Sequence, residues 1–280
     1  MPRLIRLAPV IPARALEAAE RFTSTFAAAL VLGFFILVRI ASAGTAADSP
    51  PDTAPWQAFL SRYLDASATD GVNRVRYAAV TPADNASLDS WIKAMQAAAP
   101  SALPAPAQRA FWINLYNAQT IATVLRAWPV KSIRDIKLPG SQNGPWDAKL
   151  LKVEGRDLSL NDIENGILRK QWPDPRIHFA LNCASFGCPN LSPEPFQAAR
   201  LEAQLDRGAK DFLKSPRGLA FTANGLRLSS IFDWYKGDFG KDQAGVLATL
   251  AKYAPKETAA KVKGYVGKVE YQYDWTLNGN

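Results

Sequence analysis

The stretch PAPAQRAFWINLYNAQTIATVLRAWP, residues 104–129, decides the architecture. Its prolines stand near the two ends, where a helix tolerates them, and none interrupts 107–127. Wound as a helix, this run is apolar on nearly every face through Phe111, Trp112, Ile113, Leu115, Ile121, Val124 and Leu125. Such a helix belongs at the centre of a core. Two carboxamides, Asn114 and Asn117, lie three apart on one stripe with Phe111 and Ile121. A buried polar group without partners costs about 1–3 kcal/mol, so both are expected to be hydrogen-bonded. Two roles are open to them. They either tie down neighbouring loop backbone, or line a polar pocket and orient an imidazole or a substrate carbonyl.

Upstream, Leu88, Trp91, Ile92 and Met95 recur at helical spacing within 88–99 and mark a second core-facing helix. Downstream, KLLKV-EG-RDLSL (149–160) and GLAFT-ANG-LRLSS (218–230) read as two hairpins, each turning on a glycine. Asn161 with Glu164 three residues on reads as a capping box that opens a helix over 161–170. RIHFAL (176–181) has the composition of a short strand, and FQAARLEAQLDRGAKDFL (196–213) that of an amphipathic helix. Helices and hairpins without regular βαβ alternation predict an α+β fold with a buried central helix and mixed short strands. One domain is expected over 56–280.

The segment before it is of another kind. Four arginines fall within 1–21, followed by the apolar run FTSTFAAALVLGFFILV (22–38) and the small-x-small site Ala41-Ser42-Ala43. This is the pattern of a signal peptide, 1–43, and implies export to the periplasm or cell exterior. An uncleaved segment would instead anchor the chain in the membrane, since the run sits at the short edge of a span. The exported product is expected to begin at Gly44, which its intact mass checks. GTAADSPPDTAP (44–55) lacks periodicity and reads as a linker. With 48% hydrophobic and 21% charged residues, the remainder is globular rather than disordered. The net charge of +8 is dispersed. Its densest groups, Lys149/Lys152 and Arg169/Lys170, are interleaved with other residues, so no nucleic-acid partner is expected.

The chain's only histidine and both cysteines fall within HFALNCASFGCP, 178–189. Three soft ligands in H-x₄-C-x₄-C do not fill a structural zinc site, so no metal is expected, nor any cofactor. Cys183-Ala-Ser185-Phe-Gly187 approximates a serine elbow, but no later histidine exists to serve it. Two readings remain. Cys183 and Cys188 form a disulfide, which would stabilise by roughly 2 kcal/mol through so short a loop, or Cys183 is a nucleophile activated by His178. On a straight strand, His178, Ala180 and Asn182 would share one face, with Ile177, Phe179 and Leu181 on the other. Positions 178 and 183 would then lie about 16 Å apart at roughly 3.3 Å per residue. Sulfur and imidazole meet only if the chain turns sharply after Leu181, or if they serve one pocket from different sides.

FWINLYNAQTI (111–121), LNDIENGILR (160–169), DPRIHFALNCASFGCP (174–189), LSSIFDWYKGDFG (228–240) and YDWTLN (273–278) together resemble the domain of unknown function 547 family, over about 105–280. That family's glutamate in the second motif is commonly followed by histidine, whereas Glu164 here is followed by Asn165. Should that histidine be a catalytic base, the resemblance implies that this chain is impaired unless His178 takes the role. A more distant likeness is to papain and transglutaminase-like enzymes, which place a catalytic residue on a central helix, a histidine on a following strand and an Asp or Asn on a later one. The corresponding positions here are Asn117, His178 and Asp274.

The leading expectation is a cysteine-dependent hydrolase or acyl transferase acting on an amide or acyl bond of a peptide, glycan or other small substrate. Cys183 would be the nucleophile, His178 the base, and Asn117 and Glu164 the orienting groups. Asn182 and nearby loop amides would donate to the oxyanion, and Asn114, Ser185 and Asp274 would line the pocket. The competing expectation is a non-catalytic periplasmic module that binds its ligand in the same cleft, stapled by a Cys183–Cys188 disulfide.

Overall fold

A proline near the start and apolar residues at i, i+3, i+4 and i+7 wind α1 (Ala54–Tyr63), which buries Trp56, Phe59, Leu60 and Tyr63. The computed structural model describes residues 50–142 and 144–279. The expected signal segment, 1–43, and the linker as far as 49 lie outside the described residues. Within the rest of the linker, Ala54 and Pro55 already belong to α1. Among the described residues no helix is long and apolar enough to cross a membrane.

A two-residue antiparallel pair, β1 (Leu64–Asp65) and β2 (Arg74–Val75), follows. Then comes α2 (Pro82–Ala97), capped by the Thr81 hydroxyl, which accepts from the Asp84 amide. Its buried residues are Leu88, Trp91, Ile92 and Met95, as their spacing predicts. They pack against α3 (Ala105–Ala127), in which every residue from Ala110 to Val124 is buried. Its threonines are satisfied locally. The Thr120 and Thr123 hydroxyls donate to the carbonyls of Tyr116 and Gln119 one turn back.

Asn114 and Asn117 each make a two-point clamp on a distant backbone. Asn114 donates to the Phe196 carbonyl and accepts from the Phe196 amide, both at 2.8 Å. Asn117 donates to the Ala180 carbonyl at 2.9 Å and accepts from the Asn182 amide at 2.8 Å. Of the two roles open to them, they take the first. Asn117→Leu strands a buried carbonyl and a buried amide at once, so a loss of about 1–3 kcal/mol is expected on denaturant unfolding. An unchanged midpoint would place the side chain in water.

The first predicted hairpin is β3 (Leu151–Val153) with β4 (Arg156–Leu158). Glu154 and Gly155 occupy φ of 49° and 76°, the left-handed pair that a two-residue type I′ turn requires. The capping box sits two residues earlier than expected. The Ser159 hydroxyl accepts from the Asp162 amide, and the Asp162 carboxylate accepts from the Ser159 amide. The segment it opens, Asp162–Leu168, is wound as a π-helix before one short α-helical turn, α4 (Arg169–Gln171).

RIHFAL is not a strand. Residues Pro175–Phe179 form a 3₁₀ turn, capped by Asp174 accepting from the Arg176 amide, with Pro175 in its first turn. The physical reason is position. This segment is wedged between two apolar clusters, with Ile177, Ala180 and Leu181 in the one around α3 and Phe179 in the other. Burial on all sides removes the two-faced pattern on which a strand assignment rests. α5 (Leu201–Lys214) begins later than predicted because Phe196 is held by Asn114 and a 3₁₀ turn occupies Ala198–Arg200.

The second hairpin is β5 (Leu219–Thr222) with β6 (Gly225–Ser229). Four short helices follow, α6 (Ile231–Trp234), α7 (Lys236–Phe239), α8 (Gln243–Leu250) and α9 (Lys256–Val262). A last strand, β7 (Val269–Gln272), then adds parallel to β6 with Leu226 opposite Val269. The second cluster gathers Phe179, Phe212, Phe232, Phe239 and Val246 between α5, this three-stranded sheet and the short helices. The fold is α+β, with a buried central helix and small sheets.

Candidate functional site

The 3₁₀ turn carries His178 out between the two clusters, its side chain 1% exposed. Nε2 lies 2.7 Å from Asp238 Oδ2, a contact in which the ring donates to the carboxylate. Nδ1 faces Glu164 Oε1 at 3.7 Å. The ring is stacked on Tyr235, centroids 4.0 Å apart, and the Arg169 guanidinium lies over that tyrosine ring, 4.8 Å from its centroid. Asp238 is gripped from the other side by the Arg169 guanidinium, Nε to Oδ2 at 2.5 Å and Nη2 to Oδ1 at 2.9 Å. The imidazole hydrogen bond, seconded by that fork, holds the Asp238 carboxyl well below the usual range, so it stays ionised. Glu164 is buried by the π-helix and accepts from the Tyr116 hydroxyl at 3.3 Å. Burial raises the Tyr116 and Tyr235 hydroxyls, and the neighbouring Glu164 raises them further.

After Leu181 the chain turns sharply. The Asn182 carboxamide accepts from the Ala184 amide and donates to the Pro189 carbonyl, and Ala184 takes φ of 59°. This closes the loop over 182–189 and brings Cys183 Sγ to 3.0 Å from Cys188 Sγ. Both are free thiols, Cys188 buried and Cys183 partly open. A covalent bridge would need about 2.05 Å, so the two sulfurs stand close but unbonded in this structure. Cys183 Sγ also meets the Ser185 hydroxyl at 3.0 Å and the Tyr273 hydroxyl at 2.9 Å.

These contacts set the thiol's acidity. The Cys188 hydrogen bond, with smaller contributions from Ser185 and Tyr273, outweighs burial and lowers Cys183 to about 7. Burial, then the hydrogen bond and charge of Cys183, push Cys188 well up, and burial likewise pushes up Tyr273. Alkylation of Cys183 by iodoacetamide is therefore expected to be half-maximal near pH 7. Tyr273→Phe removes a donor to the thiolate, so the profile should move to higher pH. A profile unmoved by that change would mean the hydroxyl does not serve the sulfur.

His178, Glu164, Cys183 and Cys188 all line one cleft of about 250 Å³. Trp146, Trp234, Tyr235 and Trp275 form its walls, and Trp234, half exposed, stacks on Trp275 at 5.5 Å. The two chemical groups thus open onto one pocket. His178 is held by carboxylates, Cys183 by hydroxyls and its partner thiol.

Other expected members fall elsewhere. Asn114, Asn117 and Asn182 are structural clamps, the last fixed further by the Asn278 amide. Ser185 is buried against Cys183, as a pocket-side residue would be. Asp274 is exposed and outside the cleft, where it accepts from the Thr276 amide. The order of helix, histidine strand and aspartate strand that papain-like enzymes suggest is therefore absent. Asn165 is exposed and accepts from Arg169, at the outer end of the chain of contacts leading to Asp238 and His178. The reading of the residues missed Asp238, Tyr235 and Tyr273. The first two stand in the motif LSSIFDWYKGDFG and the third in YDWTLN, where polar and aromatic residues crowd without helical or strand period. Among the described residues no group of three or more His, Cys, Asp or Glu is placed to hold a metal ion.

Residues 100–213 match the model of a family described as "Protein of unknown function, DUF547". That match carries the π-helix, His178 and both thiols but stops before Asp238 and Tyr273, short of the extent to 280 that the motifs suggest. Comparison with curated proteins and with solved structures gave no match.

Proposed function

Residues 100–213 match the DUF547 family model, and from that premise we propose a cysteine-dependent hydrolase or acyl transferase acting on an amide or acyl bond. One observation carries the reading. A thiol lowered to about 7 and an imidazole fixed by an ionised carboxylate open onto the same cleft. Cys183 is the nucleophile, His178 the proton carrier, and Asp238 the group that sets the tautomer. With Nε2–H committed to Asp238, Nδ1 is the atom that exchanges a proton.

Cys183 gives its thiol proton to Nδ1 and the thiolate attacks the substrate carbonyl, giving a tetrahedral oxyanion. The Tyr273 hydroxyl, kept protonated by burial, is the donor nearest the reacting sulfur. It takes the part that Asn182 cannot play, and such a donor is worth about 10²–10³ in rate. The proton on Nδ1 passes to the departing amine or alcohol. A water or other acceptor then gives its proton to Nδ1 and releases the acyl group. Glu164 at 3.7 Å favours the imidazolium that forms in between.

p-Nitrophenyl acetate tests the reading on the purified chain. Intact mass and peptide mapping are expected to show an acetyl group on Cys183 that is lost with time. His178→Ala should acetylate slowly and remain acetylated. Wild-type protein that never acquires an acetyl group on Cys183 would end the proposal.

The aromatic wall favours a second reading, a module that binds a peptide or glycan ring on Trp234 and Trp275 without turning it over. Under that reading Cys183→Ser leaves ligand-induced tryptophan fluorescence changes intact and no acyl adduct appears.

A further inference from the structure

Acyl transfer needs one thiol, and this cleft presents two. Cys183 is partly open and lines the cleft, while Cys188 stands behind it, 3% exposed. Their sulfurs are 3.0 Å apart, and the Cys183 amide donates to Cys188 Sγ, also at 3.0 Å, which aims the buried sulfur at its partner. The loop bearing both is already closed by the Asn182 side chain on Pro189 and by the Cys188 amide on the Ser185 carbonyl. Joining the sulfurs therefore takes a displacement of about 1 Å, with bond length near 2.05 Å.

We propose that Cys183 and Cys188 are an exchanging dithiol that reduces a small disulfide with cationic flanks entering the cleft, Cys183 attacking and Cys188 resolving. The proposal shares with the hydrolase reading only the nucleophilic Cys183. Cys183 thiolate attacks one sulfur of R–S–S–R′, forming a Cys183–S–S–R mixed disulfide and expelling R′–S⁻, which takes a proton from water. Cys188 then attacks Cys183 Sγ, its proton goes to the departing R–S⁻, and the Cys183–Cys188 disulfide closes. Two electrons pass from the protein dithiol to the substrate, which leaves as two thiols.

The order of events is built into the pair. After burial, what holds Cys188 protonated is its hydrogen bond to Cys183 and the charge of that sulfur. Capping Cys183 as a mixed disulfide removes both and leaves burial alone, so the resolving thiol ionises more readily once there is something to resolve. Charge selects the substrate. Asp147 and Glu164 line the cleft, and among its described residues there is no lysine or arginine.

The test uses the reduced full chain with cystamine and, separately, oxidised glutathione as probes, followed by intact mass and thiol counting. Wild-type protein treated with cystamine is expected to lose both thiols and retain no adduct, and dithiothreitol should restore them. Cys188→Ser should retain one cysteamine on Cys183. Cys183→Ser should react slower than Cys188→Ser by about tenfold or more, since its remaining thiol is buried and protonated. Oxidised glutathione, with its carboxylates, should react more slowly than cystamine. Should either cysteine variant misfold, the wild-type thiol count and adduct mass decide alone. A wild-type protein that keeps its adduct or both thiols overturns the exchange, and equal rates for the two probes overturn the charge selection. p-Nitrophenyl acetate run on the same wild-type sample separates the readings. An acetyl adduct without exchange refutes only the dithiol, and exchange without an acetyl adduct refutes only the hydrolase.

Discussion

Asp238→Asn is expected to slow turnover of p-nitrophenyl acetate by about 10³–10⁴-fold while leaving the fold intact. The carboxylate accepts from His178 Nε2 at 2.7 Å and thereby fixes the tautomer of the neutral ring, with its proton on Nε2. An asparagine amide in its place can donate to Nε2, which drives the ring proton to Nδ1 and leaves no base where one is needed. The Arg169 fork would also lose its charged partner. The substituted side chain is of the same size and sits at a partly open position, so the melting temperature is expected to shift far less than the rate. Acylation at wild-type rate in this variant would remove His178 from the mechanism. The sign with pH follows from the same pairing. Asp238 is lowered by His178 first and Arg169 second, against burial. Its contribution to stability is thus fully present above the ordinary aspartate value and is lost progressively as pH falls from that value to the lower folded-state value.

Gly187→Ala is expected to be the most damaging small substitution in the thiol loop. A Cβ at that position would lie 2.7 Å from the Asp274 amide nitrogen and 2.9 Å from its carbonyl oxygen. Both are backbone atoms, and the Gly187 amide already donates to that carbonyl at 2.8 Å, so neither side can yield cheaply. A cost of about 3 kcal/mol, the upper end for overpacking, would lower the melting temperature by roughly 6–12 °C at this chain length. The chemistry should move with it. Displacing residue 274 drags Tyr273 off Cys183, so the alkylation profile should shift to higher pH as it does for Tyr273→Phe. Gly237→Ala is the control, because a Cβ there meets nothing within 4 Å. Equal melting temperatures for the two variants would mean that the loop and the residues around Asp274 are not in register.

The parts of this protein legible in its residues are those governed by one period or one turn. Fifteen consecutive buried positions, Ala110–Val124, were readable because a helix apolar on nearly every face has only one place to go. Both hairpins were readable because Glu154-Gly155 and Ala223-Asn224-Gly225 are turn chemistry. RIHFAL failed for a non-local reason. Its neighbours on every side come from α3, α5 and the short helices, and no window of six residues contains them. The capping box was misplaced because Asn161 and Ser159 both precede an acid by three residues, and only the fold selects Ser159. Of the site, the crowding of His178, Cys183 and Cys188 was visible at once, and so was the involvement of Glu164. Asp238 and Tyr273, 60 and 90 positions from the residues they contact, were not. A contact across that span leaves no trace in local spacing.

One feature of the thiol loop also bears on how the protein is born. Its backbone is laced to residues far downstream, with the Phe186 amide on the Thr276 carbonyl, the Asn278 amide on the Ala184 carbonyl, and Ser185 paired with Leu277. A ribosome adds about 5–20 residues each second, so some 5–20 s separate the emergence of Cys183 from that of residue 278. Throughout that interval α3 and its cluster can assemble, but the loop lacks its last partners and the cleft lacks Tyr273 and Trp275. A nascent chain can therefore be folded at its centre while its thiols still lack the contacts that tune them, which arrive only with residues 273–278.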